Sequence, residues 1–354
     1  MNNATINQPA LELTSLRLPL GSAGGQPAAT AGEVIARVKQ SAQVVVEKSL
    51  HKLEFRAMST LCQVKVHGVS AAVAHDFLRE AVHWTSQFEA RYSRFIPDSL
   101  IGRINAAAGE HWVETDPETD RLFHLCQESF FFTRGLFDPT ALPLIKLWNW
   151  KAQPPAVPSD DAIQAASELV GWNKIQRRPG GIFLPRRGMG LDLGGIGKEY
   201  AVDCVIGLAL QHGITNVMVD FGQDVRVHGH APDKAFWLIG LDDATNPGKC
   251  WAGVAVTDHA VATSGDYLRH FIFNGCRYGH ILDPRTGYPG LNDCRAVSVI
   301  APSCTIAGLL ATSVCILGAK EGLQLIELHP GAAGAMTADT TKLYSRKFHE
   351  YIPA

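Results

Sequence analysis

Four stretches of this 354-residue chain place Gly, Asp and Thr at turns beside apolar segments, where a ligand can be reached. They are GLFDPTALPLIKLW (135–148), LDLGGIGKEYAVD (191–203), ATSGDYLRHF (262–271) and GHILDPRTGYPG (279–290). In the second stretch, glycines at a helix start let the backbone approach a ligand, and the free N–H groups there favour an anion. Lys198 adds a positive charge. This stretch is therefore a candidate phosphate site.

That stretch matches neither of two common nucleotide-binding loops. A Walker A loop requires G-x-x-x-x-G-K-[ST], and a dinucleotide-binding turn requires G-x-G-x-x-G. The chain has G-G-x-G-K instead. Taken alone, the stretch is equally compatible with a tight turn before a helix.

The fourth stretch contains a His three residues before an Asp. His280 can serve as a general base near neutral pH, and Asp283 can orient a base or accept a hydrogen bond from a ligand. The alternative for Asp283 is a turn in which its carboxylate binds its own backbone. Asp138, which precedes a proline, and Asp266 have the same alternative, as a turn former and as a helix or turn cap.

Near the end of the chain, PSCTIAGLLATSVCILG (302–318) is apolar and predicts a buried helix. Gly308 and Thr312 are one turn apart in it, on the same face. The segment is either core alone or core that also forms one wall of a site.

Composition narrows the class of protein. The formal net charge is −2, which argues against the dense basic patch of a nucleic-acid binder. No apolar run is long enough to span a bilayer, and we see no secretory signal or early lipid-anchor cysteine. The eight cysteines form no C-x-x-C pair, which disfavours a zinc site. We expect reduced, buried thiols, with disulfides as the alternative if the chain is exported.

The elements that must position these stretches follow from periodicity. Residues 1–45, rich in Ala, Gly, Ser and Pro, predict a flexible leader that contains one short possible helix, and residues 50–354 predict the folded domain. Helical spacing appears around 71–92 and 119–135, and Ser159 is placed to cap a helix at 160–171. A further helix is predicted at 198–213, ended by Gly213. Strands are predicted at 182–187 and on both sides of 222. Strands and helices mix without βαβ alternation, so the fold class is α+β.

The order of the motifs is more specific than any one of them. AMST, RYSRFIPDSLIGRIN, FDPTALPLIKLW, LDLGGIGKEYAVD, VDFGQDVRVHG, VATSGDYLRHF, HILDPRTGYPG and IAGLLATSVCILG follow one another from about residue 55 to the end. This series resembles the ApbE family, the FAD:protein FMN transferases. The resemblance implies a single α+β domain, related to the T-fold, with a flavin cleft. It also implies FAD as substrate, Mg²⁺ as cofactor, and a target flavoprotein that accepts FMN on a Thr or Ser while AMP leaves.

The resemblance also implies roles for individual residues. His280 and Asp283 fall at the reaction centre, with His280 as the candidate base. Positions that contact the cofactor are Met58, Phe95, Leu136, Phe137, Asp138, Asp192, Lys198, Asp266 and Leu282. Metal-binding positions are Gly195, through its carbonyl, and Thr312, with Ala311 beside it.

This chain departs from the family pattern at several positions. The most serious is Gly308, which stands where the family has a magnesium-binding Asp in Ala-Asp-x-x-x-Thr. Ser59, Glu199 and Gln223 stand where the family usually has Gly. Magnesium prefers carboxylate oxygen, so the metal site is weakened unless another acid, Glu199 or Asp224, compensates. On this basis Gly308→Asp is expected to strengthen magnesium binding.

Two other functions stay open at this point. One is a non-catalytic flavin-binding protein of the same fold, and the other is an FAD pyrophosphatase that yields FMN and AMP. A cytoplasmic location is expected, with the periplasm as the alternative if a signal is absent from this sequence. The sequence leaves the target protein and the oligomeric state open.

Overall fold

A computed structural model describes residues 29–150, 154–246 and 248–353. The helices are α1 (Ala31–Gln40), α2 (Ala71–Tyr92), α3 (Leu100–Ala106), α4 (Pro117–Phe132), α5 (Leu142–Leu147), α6 (Asp160–Ser167), α7 (Gly197–Gln211), α8 (Cys304–Leu317) and α9 (Ala319–Leu328). The first strands are β1 (Gln43–Glu47), β2 (Leu50–Ala57), β3 (Thr60–Val66), β4 (Val113–Glu114), β5 (Gln176–Arg178), β6 (Gly181–Phe183), β7 (Val217–Phe221) and β8 (Asp224–His228). The later strands are β9 (Trp237–Asp242), β10 (Cys250–Val256), β11 (Ala260–Gly265), β12 (His270–Phe273), β13 (Cys276–Gly279), β14 (Cys294–Ala301), β15 (Ala333–Ala338) and β16 (Thr341–Tyr344).

Nine strands form one antiparallel sheet in the order β1-β2-β3-β7-β8-β11-β14-β15-β16. Alternate side chains point to opposite faces of a strand. On β7, Val217, Val219 and Phe221 join the core beneath the helices, and Met218 joins a second core on the other face. Helices α2, α7 and α8 cover the first face, and the β9–β10 hairpin covers the second. The α+β prediction is confirmed.

Most of the predicted elements are present. Helices α2, α4 and α7 lie where helical spacing predicted them, and Ser159 caps α6 by accepting from the Ala162 N–H at 3.3 Å. Gly213, with φ of +72°, follows the end of α7. The 302–318 segment forms α8, buried along most of its length. In the described part of the chain, no helix is both long and apolar enough to cross a membrane.

The folded part begins before residue 45. Helix α1 lies within the segment that we expected to be a leader, and it starts with a capping box formed by Thr30 and Glu33. Its Val34 and Val38 are buried in the core, and α1 packs against α2. Residues 1–28 lie outside the described residues, so for them the flexible leader stays a prediction.

All eight cysteines are free thiols. Five of them are buried, as expected for thiols that act as small hydrophobes. Cys250 and Cys276 are exposed, contrary to that expectation, because they lie at the starts of β10 and β13, outside the main sheet.

Candidate active site

Helices α7 and α8 are fixed against each other by Asp203, a residue that was not among the predicted site residues. Its carboxylate accepts from the Cys304 and Thr305 N–H groups at 2.8 and 2.9 Å, and from the Thr305 hydroxyl at 2.7 Å. A carboxylate of α7 therefore caps the N-terminus of α8, where the unpaired N–H groups and the helix dipole favour negative charge. Arg226 of β8 pairs with the same carboxylate at 2.8 Å. The sequence signal was an Asp one turn beyond Glu199.

One turn earlier on α7, Glu199 lies over Gly308 of α8. A Cβ atom added at Gly308 would lie 2.6 Å from Glu199 Cγ and 3.2 Å from both its Cδ and Oε1. The Glu199 side chain is 12% exposed, and its Oε2 is buried with no hydrogen-bond partner among the described residues. The carboxylate of Glu199 therefore fills the space that the absence of a side chain at 308 leaves open.

Lys198 connects this carboxylate to a second one. Its Nζ contacts the Asp224 carboxylate and lies 3.6 Å from Glu199 Oε1. Asp224 is buried at the start of β8, and its Oδ1 also accepts from the Thr263 N–H at 3.3 Å. Asp224 is thus already paired with a cation and a backbone donor, whereas one oxygen of Glu199 has no partner among the residues that the structure describes.

Thr312 lies one turn after Gly308 on α8. Its hydroxyl contacts the Ser264 hydroxyl of β11 at 3.2 Å. Ser264 belongs to the third motif stretch, so two distant motifs meet here. Ala311 is fully buried in the core, and its side chain offers no donor atom to a metal.

A second group of predicted residues gathers around the turn before α7. The Asp192 carboxylate contacts Arg94 Nε and accepts from the Gly194 N–H at 2.6 Å. The Arg94 guanidinium lies 4.1 Å from the ring centroid of Phe95, which is 69% exposed. Arg94 thus covers one face of the Phe95 ring, and the exposed part of the ring suits stacking on a flat ligand.

Phe137 borders this turn, because a Cβ at Gly195 would lie 3.4 Å from its ring. Leu136 and Asp138, on either side of Phe137, are buried. The Asp138 carboxylate accepts from the Thr140 N–H and hydroxyl at 2.8 and 2.6 Å, and from the Trp172 N–H at 3.1 Å. Burial raises the pKa of Asp138 despite these donors. Its carboxylate organises the loop, as the turn-former alternative predicted.

In the fourth stretch the structure separates the roles of His280 and Asp283. The Asp283 carboxylate accepts from the Arg285 N–H at 2.9 Å and from its guanidinium at 2.8 and 2.9 Å, which is the turn alternative for this residue. His280 Nδ1 is buried and has no hydrogen-bond partner in the described residues. Asp283 therefore does not orient the His280 ring. Leu282 is buried and forms an isolated bridge with Pro289.

The His280 imidazole is held in its neutral form. Burial, together with the Arg269 charge, lowers the pKa of His280 to about 4. The charge of Asp266 opposes this lowering of the pKa, and its carboxylate is held by the Arg277 guanidinium at 2.9 and 3.0 Å. Asp266 is thus committed to an ion pair with Arg277, and Nδ1 of the neutral His280 ring has no hydrogen-bond partner among the described residues.

Met58 lies at the tip of the β2–β3 hairpin. Its N–H donates to Glu89 Oε2 at 2.9 Å, and both loop residues, Met58 and Ser59, have positive φ values of 50° and 60°. The β7–β8 hairpin tip is next to it, since a Cβ at Gly222 would lie 2.2 Å from the Thr60 hydroxyl oxygen. Both loops therefore lie at one end of the sheet.

A preformed metal cluster is not part of this arrangement. The described residues contain no group of three or more His, Cys, Asp or Glu side chains that could hold a metal ion. The oxygen donors near α8 are instead of mixed type, the Glu199 carboxylate and the Thr312 hydroxyl, and the Gly195 carbonyl lies in the turn before α7. Hard oxygen donors of this kind suit Mg²⁺, which keeps several waters and binds together with substrate phosphates.

The sequence profile of the ApbE family matches residues 58–336. The chain belongs to the ApbE family. An FAD:protein FMN transferase of Treponema pallidum is 33% identical over 294 residues, which are 77% of this chain and 80% of that protein. One of Vibrio cholerae is 32% identical over 238 residues, which are 66% of this chain and 71% of that protein.

Solved structures of ApbE proteins agree with this family membership. The crystal structure of the ApbE protein from Thermotoga maritima is 28% identical, with a TM-score of 0.75 over 88% of this chain and 100% of that chain. The flavin transferase ApbE from Vibrio cholerae has the same TM-score at 24% identity, which is a likeness of fold. The roles that ApbE membership implies for individual site residues stay predictions.

Proposed function

We propose that this protein is an FAD:protein FMN transferase, which moves FMN from FAD to a Thr or Ser of a target flavoprotein and releases AMP. The observation that carries the proposal is the meeting of four motifs around the start of α7. Lys198, the Glu199 carboxylate, Asp224 and Thr312 come from three segments far apart in the sequence, and Ser264 joins them from a fourth. The named activity of the relatives supports the same function.

The reaction is a phosphoryl transfer, in which positioning and charge neutralisation supply most of the catalysis. The hydroxyl oxygen of the target attacks the FMN phosphorus of FAD, the P–O bond to the AMP phosphate breaks, and AMP leaves. We assign to His280 the role of taking the hydroxyl proton, because its imidazole is neutral and its Nδ1 has no hydrogen-bond partner among the described residues. Lys198 offers positive charge to the phosphates.

A divalent cation would be held by the Glu199 carboxylate, the Thr312 hydroxyl and the Gly195 carbonyl. The chemistry that Mg²⁺ supplies in such a site is neutralisation of charge on the phosphate oxygens and the leaving group. The protein's own contribution is to fix these donors, through the Asp203 cap and the Ser264–Thr312 contact. The exposed face of Phe95 beside Arg94 offers a stacking surface for one ring of FAD.

The test uses the purified protein, FAD, Mg²⁺ and a target flavoprotein, with a variant of that target whose acceptor Thr is replaced by Ala. We expect covalent flavin fluorescence on the target in a denaturing gel, a mass increase of one FMN, and AMP in equal amount. The Thr→Ala target and the enzyme variant His280→Ala should give none of the three. Free FMN without labelled target would identify a pyrophosphatase, and FAD binding without AMP would identify a binding protein.

The cytoplasmic location stays a proposal that rests on the expectation from the sequence. Fractionation of cells that express the natural gene with a C-terminal tag would test it.

A further inference from the structure

This chain has an acid at position 199 on α7 and none at position 308 on α8, and the role assigned to that acid rests on the proposed function. We propose that Glu199 of α7 is the carboxylate ligand for the divalent cation in this protein, in place of the acidic residue that Gly308 of α8 lacks. The ion would be of the Mg²⁺ class, which prefers carboxylate and hydroxyl oxygens.

Glu199 occupies the space next to Gly308. The Glu199 side chain reaches the point where a side chain at 308 would start, since Cγ lies 2.6 Å from the Cβ position of that residue. This separation is too short for two side chains to coexist without movement. A glycine at 308 is therefore what allows a Glu at 199 to take up this position, and the two departures from the family pattern form one complementary pair.

One oxygen of the Glu199 carboxylate is unpaired among the described residues. Glu199 Oε2 is buried and accepts no hydrogen bond from any described residue. A buried carboxylate oxygen without a donor or cation is costly, by several kcal/mol for an unpaired ion. The Lys198 charge is 3.6 Å from the other oxygen and is engaged by Asp224, so it does not satisfy Oε2. A cation bound at Oε2 would remove that cost.

Asp224 is the competing acid, and its contacts argue against it. Its carboxylate already contacts Lys198 Nζ and accepts from the Thr263 N–H at 3.3 Å. Glu199 also has the better support on α8, because the Asp203 cap one turn away fixes how the two helices face each other. Thr312, one turn beyond Gly308 on the same face, supplies the neighbouring hydroxyl.

The experiment measures Mn²⁺ binding to the full chain by the loss of the free-ion electron paramagnetic resonance signal, with and without FAD. Mn²⁺ accepts the same oxygen donors as Mg²⁺. Glu199→Gln keeps the volume of the side chain and removes its charge, so we expect the Mn²⁺ affinity to fall at least about tenfold. This is the lower end of the loss seen when a residue that only supports a metal ligand is replaced. Glu128→Gln is the matched control, because Glu128 lies exposed on α4 and pairs with His124 of the same helix. It should bind Mn²⁺ like the parent.

A double variant separates loss of a ligand from loss of fold. Glu199→Gly combined with Gly308→Asp returns the acid to α8 and should recover most of the affinity that Glu199→Gly alone loses. Mn²⁺ affinity in Glu199→Gln within twofold of the parent would overturn the inference, as would a parent that binds no Mn²⁺ with FAD present. The proposed function fails separately, if the metal-loaded parent transfers no FMN to a verified target.

Discussion

Glu199 and Gly308 form one complementary pair across the α7–α8 contact, although they lie in different motifs. The carboxyl group of Glu199 lies 3.2 Å, measured at Cδ and at Oε1, from the point where a Cβ of residue 308 would be. The negative charge at this point of the site is therefore retained, but it enters from the opposite helix. This changes what each single substitution at the pair is expected to do.

Gly308→Asp alone is expected to destabilise the protein, contrary to the expectation from the sequence that it would strengthen magnesium binding. The new side chain meets Glu199 at 2.6 Å and places a second carboxylate beside the first. Overpacking of this kind costs about 1–3 kcal/mol, and like-charge repulsion adds to it. Urea unfolding of the parent, Gly308→Asp and the Glu199→Gly/Gly308→Asp double variant measures the effect. Equal stability of parent and single variant would show that Glu199 moves away freely.

Ser59→Gly is expected to stabilise the fold. Met58 and Ser59 form a two-residue hairpin loop in which both φ values are positive, a conformation that costs a non-glycine residue about 1–2 kcal/mol. Glycine adopts it without that cost, although it loses more entropy on folding, so a net gain of about 0.5–1 kcal/mol is expected. Thermal and urea unfolding measure it.

The control for this substitution is Ser49→Gly in the β1–β2 hairpin. Ser49 is also an exposed loop residue, but it is not among the residues with positive φ. Glycine there should give no gain in stability. If both variants change stability alike, the Met58–Ser59 loop carries no conformational strain.

Local sequence signals predicted most of the helices. Ser159 before two acids indicated the start of α6, Gly213 indicated the end of α7, and apolar spacing located α2. These features act within one or two turns, which is why a sequence can reveal them. The short helices α3 and α5 were missed, because six or seven residues give too few periods to recognise.

The site was predicted less completely, because its decisive contacts are not local. The motif order indicated that His280, Lys198 and Thr312 belong to one site, but nothing in the sequence showed that Glu199 faces Gly308. That contact depends on how α7 crosses α8, which Asp203 determines by capping the other helix. The sequence also could not show whether Asp138 and Asp283 face a ligand, and both carboxylates are used by their own loops.

Asp203→Asn is expected to weaken both the fold and the metal site. It removes the negative charge that accepts hydrogen bonds from Cys304 and Thr305 and that pairs with Arg226. Hydrogen bonds to a charged group are worth about 1.5–3 kcal/mol. Glu199, one turn away, then loses its fixed position over Gly308. Urea unfolding and Mn²⁺ titration measure the two effects.

Ser303→Ala is the matched comparison for Asp203→Asn. Ser303 caps the same end of α8 by accepting from the Ile306 N–H at 3.3 Å, but it does not connect α8 to α7. Its loss should cost about 0.5–2 kcal/mol of stability and leave Mn²⁺ affinity unchanged. A Mn²⁺ affinity that falls equally in both variants would mean that Asp203 has no positioning role beyond the cap.

His280 is expected to make the folded protein less stable as the pH falls from about 6.5 to about 4. Burial and the Arg269 charge lower its pKa to about 4 in the fold, whereas an unfolded His titrates near 6.5. In that window the unfolded chain binds a proton that the folded chain does not, so acid favours unfolding. His280→Gln removes this contribution. The urea midpoint of the parent should therefore fall more steeply than that of the variant as the pH drops from 7.5 to 4.5. Parallel curves for the two proteins would show that His280 titrates normally and is not held neutral by its surroundings.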